Sequence, residues 1–200
     1  PTGLGERPLV LSNCHTATAD LPCYVPDDSA GQYLGMRAAL ARGPRRPLCL
    51  NLPRHSLAWP LRQAGLLQAC RDAGLATAEL RQYDLSGDDA YEEIPAELER
   101  RFAGDEPRPD LLVCGNDRMA MGAYAAIREQ GLRVREDVVV IGIDDQELIA
   151  DQVHPALTTV ALPFEEMGQV AVSHLLALME GEEVPAETLL PGTIIRRSSA

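Results

Sequence analysis

Three almost wholly apolar runs, Leu48–Leu52, Leu111–Gly115 and Val138–Ile143, constrain this chain's fold more than any other feature. A strand with one wet face alternates apolar and polar residues. A strand covered on both faces does not, and that double cover belongs to parallel sheets with helices above and below. Between the runs, apolar residues fall at helical spacing. Pro60–Ala73 opens on a proline tolerated in a first turn. Glu92–Phe102 aligns Ile94, Leu98 and Phe102, and Arg118–Gln130 aligns Met119, Ala123, Ala126 and Ile127 before a stop at Gly131. Strand and helix in alternation predict an α/β fold with a parallel sheet.

Further strands are expected at Leu9–Ser12, Ala78–Tyr83, Thr158–Ala161 and Thr193–Arg196. Ser29–Arg42 reads as a helix, capped by Asp28 or Ser29 and stopped by Gly43. Glu165–Glu180 reads as another, with Met167, Ala171, Leu175, Leu178 and Met179 at helical spacing. Residues 45–160 therefore predict one complete, doubly wound, flavodoxin-like lobe. Residues 1–44 supply one strand and one helix of a second lobe, 161–184 a crossover and a helix returning to it, and 185–200 the last strand of the complete lobe. The second lobe is expected to be only partly present. Linkers at Gly43–Pro47, Ala161–Pro163 and Gly181–Pro185 carry Pro or Gly.

A net charge of −12 argues against direct DNA contact by this chain, since a phosphate-binding surface needs clustered cations. Five cysteines, Cys14, Cys23, Cys49, Cys70 and Cys114, are odd in number and form no C-x-x-C pair. That is the usage of a reducing compartment, and a cytoplasmic location is expected. No signal peptide opens the chain, although it begins at Pro1 rather than Met, and no run is long enough for a membrane span.

In open parallel sheets, ligands bind beyond the carboxyl ends of the strands. There the sequence puts Asn116 and Asp117 after one run, Asp144 and Asp145 after another, and Arg54, His55, Trp59 and Arg62 after a third. A carboxylate, an amide and a guanidinium on one rim suit a small polar or polyhydroxylated ligand, and Trp59 can stack on a ring. Plainer roles stand beside these. Asn116 or Asp117 can cap the following helix, Asp144-Asp145 can be a turn, and Arg62 can be a solvated helix residue.

Catalytic motifs are missing: no G-x-S-x-G elbow, phosphate-binding loop or G-x-G-x-x-G follows a strand, so no catalytic residue and no cofactor is expected. Cys14, His15 and Cys23 make a loose cluster whose spacing does not fit structural zinc, so no metal is expected. His174 lies on the apolar face of its helix and is expected to pack.

The stretch Pro109–Leu162 resembles the effector domain of the lactose-repressor/galactose-repressor family. The resemblance rests on Asn-Asp-x-Met-Ala at Asn116–Ala120, Gly-x-Asp-Asp at Gly142–Asp145 and Pro-x-Leu-Thr-Thr-Val at Pro155–Val160. It extends to the Arg-x-x-Gly step Arg62–Gly65, to "DDSAGQYLGMRAALARG" before it, and to "EEMGQVAVSHLLALMEG" and "LLPGTIIRRSSA" near the end.

The resemblance implies a periplasmic-binding-protein-like type I fold, in which two α/β lobes joined by three crossovers close on a small molecule. It implies a cytoplasmic homodimeric transcription regulator, a repressor, that reaches operator DNA through a helix-turn-helix head and hinge preceding Pro1. Effector contacts then fall to Arg62, Asn116 and Asp144, with Asn13, His55, Trp59 and Leu162 as candidate pocket neighbours. The effector would be a sugar, a sugar derivative or another small polar metabolite. Dimer contacts would fall to Met121, Leu148, Ile149, Asp151 and Gln152, unless Met121 and Leu148 pack within their own lobe.

Three positions depart from the family pattern: Leu162 stands where Gln is frequent, Ile143 where an aromatic is usual, and Gly43-Pro44-Arg45-Arg46 replaces Gly-His-Arg-Arg. These departures imply a pocket open to a less hydroxylated or more apolar ligand. A periplasmic sugar-binding protein of a transporter, with the same fold, and an enzyme on a flavodoxin-like sheet are the rival readings.

Overall fold

The computed structural model describes residues 7–16, 20–43, 46–77, 80–87 and 90–200. The chain forms two compact units. One gathers the residues up to Asp27 with Leu162–Gly192, and the other holds Asp28–Ala161 with Thr193–Ala200.

The larger unit is built on six strands: β3 (Pro47–Asn51), β4 (Arg81–Asp84), β5 (Leu111–Cys114), β6 (Val139–Asp144), β7 (Thr158–Ala161) and β9 (Thr193–Ile195). Their order is β4-β3-β5-β6-β7-β9, parallel except for β9, which runs antiparallel to β7. The five parallel strands thus follow the doubly wound flavodoxin-like order, with the switch point between β3 and β5.

Side-chain alternation on the central strands sorts the core into two layers. Leu48, Leu50, Leu112, Cys114 and Val140 face α3 (Ala90–Ala103) and α4 (Asp117–Glu129), where they meet Ile94, Leu98, Met119, Ala123 and Ile127. Cys49, Leu111, Val113, Val139 and Ile141 face α1 (Asp28–Leu40) and α2 (Ala58–Asp72), where they meet Met36, Ala39, Leu66, Ala69 and Cys70. The uniformly apolar runs are those that carry both layers.

α1 and α2 touch backbone to backbone, and Gly65 permits it. A Cβ at this position would lie 2.0 Å from the Ser29 carbonyl oxygen and 3.0 Å from the Tyr33 nitrogen. Helix stops at Gly43, Gly74 and Gly131 all have positive φ, as a left-handed C-terminal turn requires.

The smaller unit has a three-stranded parallel sheet, β1-β2-β8, from Leu11–Ser12, Cys23–Pro26 and Glu187–Leu190. Helix α5 (Phe164–Met179) covers one side, packing Met167 and Ala171 on Tyr24 and Leu190. His174 packs edge-on to the Tyr24 ring, its Nδ1 2.8 Å from the Tyr24 hydroxyl.

Several expected boundaries differ from these. β2 and β8 were not anticipated, and residues 185–200 hold two strands on different sheets rather than one. The chain passes between units at 27/28, 161/162 and 192/193, where 44/45, 160/161 and 184/185 were expected. The first difference arises because α1 belongs with α2 in the larger unit. The first two residues of the expected strand Ala78–Tyr83, and Pro44-Arg45, lie outside the described residues. Among the described residues no helix is long and apolar enough to cross a membrane.

Candidate functional site

Arg62 sits near the start of α2, below the carboxyl ends of β3 and β5. Its guanidinium is held on two sides: Nε donates to Asp28 Oδ1 at 2.6 Å, and Nη1 donates to the Gly115 carbonyl. Nη2 stands 4.0 Å from Asp144 Oδ1. The side chains of Arg62 and Asp28 are each only 12% exposed, so the fork is rigid and largely dry. Gln32, Asn51, Leu52, Trp59, Arg62 and Gly115 line a narrow recess at this switch point.

A second network buttresses the recess. Asp84, at the end of β4, accepts from Asn51 Nδ2 (2.8 Å), Arg54 Nε (2.6 Å) and Trp59 Nε1 (2.9 Å). Burial pushes the Asp84 carboxyl up, but those three donors outweigh it and hold it below its ordinary value. Arg54 also lies 5.2 Å over the Trp59 ring, so the indole is pinned at its edge and on one face.

Asp144 ends β6 with a φ of 118°, and Asp145 follows at 53°. Backbone of this kind is costly for a residue with a Cβ and persists only where the surroundings hold it. Asp117 supplies one tether: fully buried, it accepts from the Gln146 amide at 2.8 Å and the Thr159 hydroxyl at 2.6 Å. Arg197 Nη1 supplies another, 2.7 Å from Asp145 Oδ1. Gly142 makes room, since a Cβ there would lie 2.1 Å from Asp117 Oδ1. The Gly-x-Asp-Asp step is thus a built turn that presents Asp144 to the recess side of Arg62.

Burial raises Asp144 to about 7, with Asp117 and Asp28 adding to the effect and Arg62 opposing it. Burial likewise raises Asp117 to about 6, against the hydrogen bonds from Thr159 and Gln146.

The structure brings Arg62 and Asp144 together and gives Asn116 a structural duty. Asn116 is the N-cap of α4, its Oδ1 accepting from the Met119 amide at 2.9 Å, while Nδ2 carries N–H donors that the cap does not use. Asp117 is a clamp rather than the alternative cap. His55 is exposed in the turn before α2. Asn13 and Leu162 belong to the smaller unit, where Asn13 follows β1 with a φ of 57° and donates its amide to Tyr24.

Of the dimer candidates, Leu148 is 85% exposed with a φ of 66°, so packing within its own lobe does not account for it. Asp151 and Gln152 are exposed, and Ile149 and Met121 half-buried. Sequence reading missed the second network and Asp28's role, because side-chain pairs so far apart leave no local pattern. Two wider hollows, about 350 and 450 Å³, open near the amino ends of the strands, away from these groups.

The family model described as the periplasmic binding protein-like domain matches residues 37–200. The sucrose operon repressor of Escherichia coli is 38% identical over 200 residues, covering all of this chain and 60% of that protein. The repressor PurR of Erwinia tasmaniensis is 33% identical over 198 residues, covering 96% of this chain and 56% of the repressor. The chain therefore spans under two thirds of the length of either relative. The crystal structure of a LacI-family transcriptional regulator from Rhizobium etli superposes with a TM-score of 0.86 at 32% identity, covering 96% of this chain and 70% of that one. The chain belongs to the periplasmic binding protein-like domain family, in the branch formed by the lactose-repressor family of transcription repressors.

Proposed function

We propose that the chain is the effector-sensing and dimerising part of a bacterial transcription repressor, with the effector bound by Arg62, Asn116 and Asp144. The observation that carries this reading is the locked Arg62 fork at the sheet's switch point, one nitrogen aimed toward Asp144. A hydroxyl placed between Nη2 and the carboxylate accepts from the one and donates to the other. The Asn116 carboxamide adds donors, and Trp59 supplies a fixed aromatic wall. Such a rim suits a sugar or sugar derivative, and the likeness to a sucrose operon repressor supports that class. The regulator acts in the cytoplasm, without catalysis, and meets its operator through residues outside this chain. Effector shifts it between operator-binding states only through different affinity for the two.

A thermal-shift screen of sugars, sugar phosphates, polyols and nucleobases on the full-length repressor tests the ligand class. With the hit in hand, Asp144→Ala abolishes the effector response and leaves operator binding intact. An unchanged response removes Asp144 from the site.

The exposed Leu148 supports the dimer reading. Leu148→Asp raises the dimer dissociation constant at least about tenfold, measured by sedimentation equilibrium, because a buried apolar anchor is replaced by a charge. The circular dichroism spectrum stays that of the parent. A dissociation constant within error of the parent rules Leu148 out of the interface.

A further inference from the structure

The three-stranded unit gathers a second set of chemically competent side chains, remote in sequence and unused by the effector rim. Cys23 and Glu187 are direct cross-strand partners on β2 and β8, so their side chains share a face of the sheet. It is the face opposite the one where Tyr24 meets α5. After β1, Asn13 turns the chain through a left-handed conformation, and His15 comes to the same place. His15 Nδ1 lies 3.5 Å from Cys23 Sγ and 3.7 Å from Glu187 Oε1, and all three donor atoms fall within 4.8 Å of one another.

These separations fit the edges of one coordination polyhedron. With metal–sulfur and metal–nitrogen bonds near 2.3 and 2.0 Å, tetrahedral geometry puts S and N about 3.5 Å apart. The setting is also electron-rich. Burial, Glu187 and the neighbouring Cys14 all raise the Cys23 thiol. Among the described residues no arginine pairs with Glu187. A thiol so placed is a poor nucleophile, which counts against a redox or catalytic role. A dication would supply the missing positive charge and draw off the thiol proton.

We propose that His15 Nδ1, Cys23 Sγ and Glu187 Oε1 form a binding site for a divalent ion of the zinc class, with a fourth position left to water. One thiolate, one imidazole and one carboxylate suit zinc and its surrogate cobalt, whereas magnesium and calcium take oxygen donors. The ion would tie the turn after β1 to the start of β8 and so fasten the two edge strands to β2. The site was missed in sequence because Glu187 lies so far from the other two, and no zinc spacing links them.

Cobalt(II) titration of the chelator-stripped protein tests the site. Four-coordinate d–d bands and a near-ultraviolet thiolate-to-cobalt band are expected to saturate at one ion per chain and to be displaced by zinc. Cys23→Ser loses the thiolate band. His15→Ala weakens cobalt binding at least about tenfold, and so does Glu187→Gln, whose exposed position makes it safe for folding. Absence of a thiolate band in the parent, its loss in Cys14→Ser with retention in Cys23→Ser, or unchanged affinity in Glu187→Gln each overturns the assignment.

Discussion

Gly65→Ala is expected to destabilise the six-stranded unit by about 3 kcal/mol, at the upper end of what overpacking a tight contact costs. The new methyl would lie 2.0 Å from the Ser29 oxygen, 2.9 Å from its carbonyl carbon and 3.0 Å from the Tyr33 nitrogen. All three are main-chain atoms, so no side chain can swing aside, and the close-packed interior offers no slack. Relief comes only by moving α1 off α2. That displacement carries Asp28 away from the Arg62 guanidinium it now meets at 2.6 Å, so ligand affinity falls together with stability. Gly168→Ala is the matched control. Gly168 is exposed within α5, has nothing within 4 Å of the added methyl, and gains helix propensity of about 1 kcal/mol. Chemical denaturation of the two variants separates the close approach from the general effect of adding a methyl. A Gly65→Ala midpoint within error of the parent would sink the packing argument.

The legibility of this fold follows the physical origin of each element. β3, β5 and β6 are buried on both faces, so the apolar runs beginning at Leu48, Leu111 and Val138 announced them in sequence. The helices were legible from their stripes and from the glycines that stop them. β2 and β8 were not: "CYVP" ends on a proline, and Leu189 of "ETLL" is 52% exposed. Strands so short, held by a neighbour remote in sequence, leave no periodic signal. At the candidate site, the rule that ligands gather beyond strand ends found Arg62 and Asp144. It could not assign the duties of Asn116 and Asp117, because both residue types cap helices well and only tertiary structure shows which one does. Asp117 instead holds the Gln146 amide in the turn after β6 and the Thr159 hydroxyl on β7. Asp28, read as a cap, is the partner that orients Arg62.

Arg62→Met should remove effector binding altogether and also make the protein's stability depend more steeply on pH. Methionine keeps the bulk of the stem but leaves two carboxylates, Asp28 and Asp144, without the cation between them. Breaking a largely buried pair from one side costs about 3 kcal/mol. The pH dependence identifies the cause. In the parent, Asp144 holds its proton up to about 7, above the ordinary carboxylate range. The folded state therefore binds more protons than the unfolded state between about pH 4 and 7, so this group's contribution falls as pH rises through that window and levels off above it. Arg62 is the charge that opposes the upward shift. Without it the window extends above 7, and the variant's deficit must be larger at pH 8 than at pH 5.5. The same titration bears on the parent's ligand affinity: a ligand hydroxyl that donates to Asp144 needs the carboxylate charged, so affinity declines below about pH 7, by up to about tenfold per unit. Urea denaturation at the two pH values, with a parallel titration of ligand, measures both effects. A deficit identical at pH 5.5 and 8 would mean that lost packing, not the uncompensated carboxylates, explains the variant.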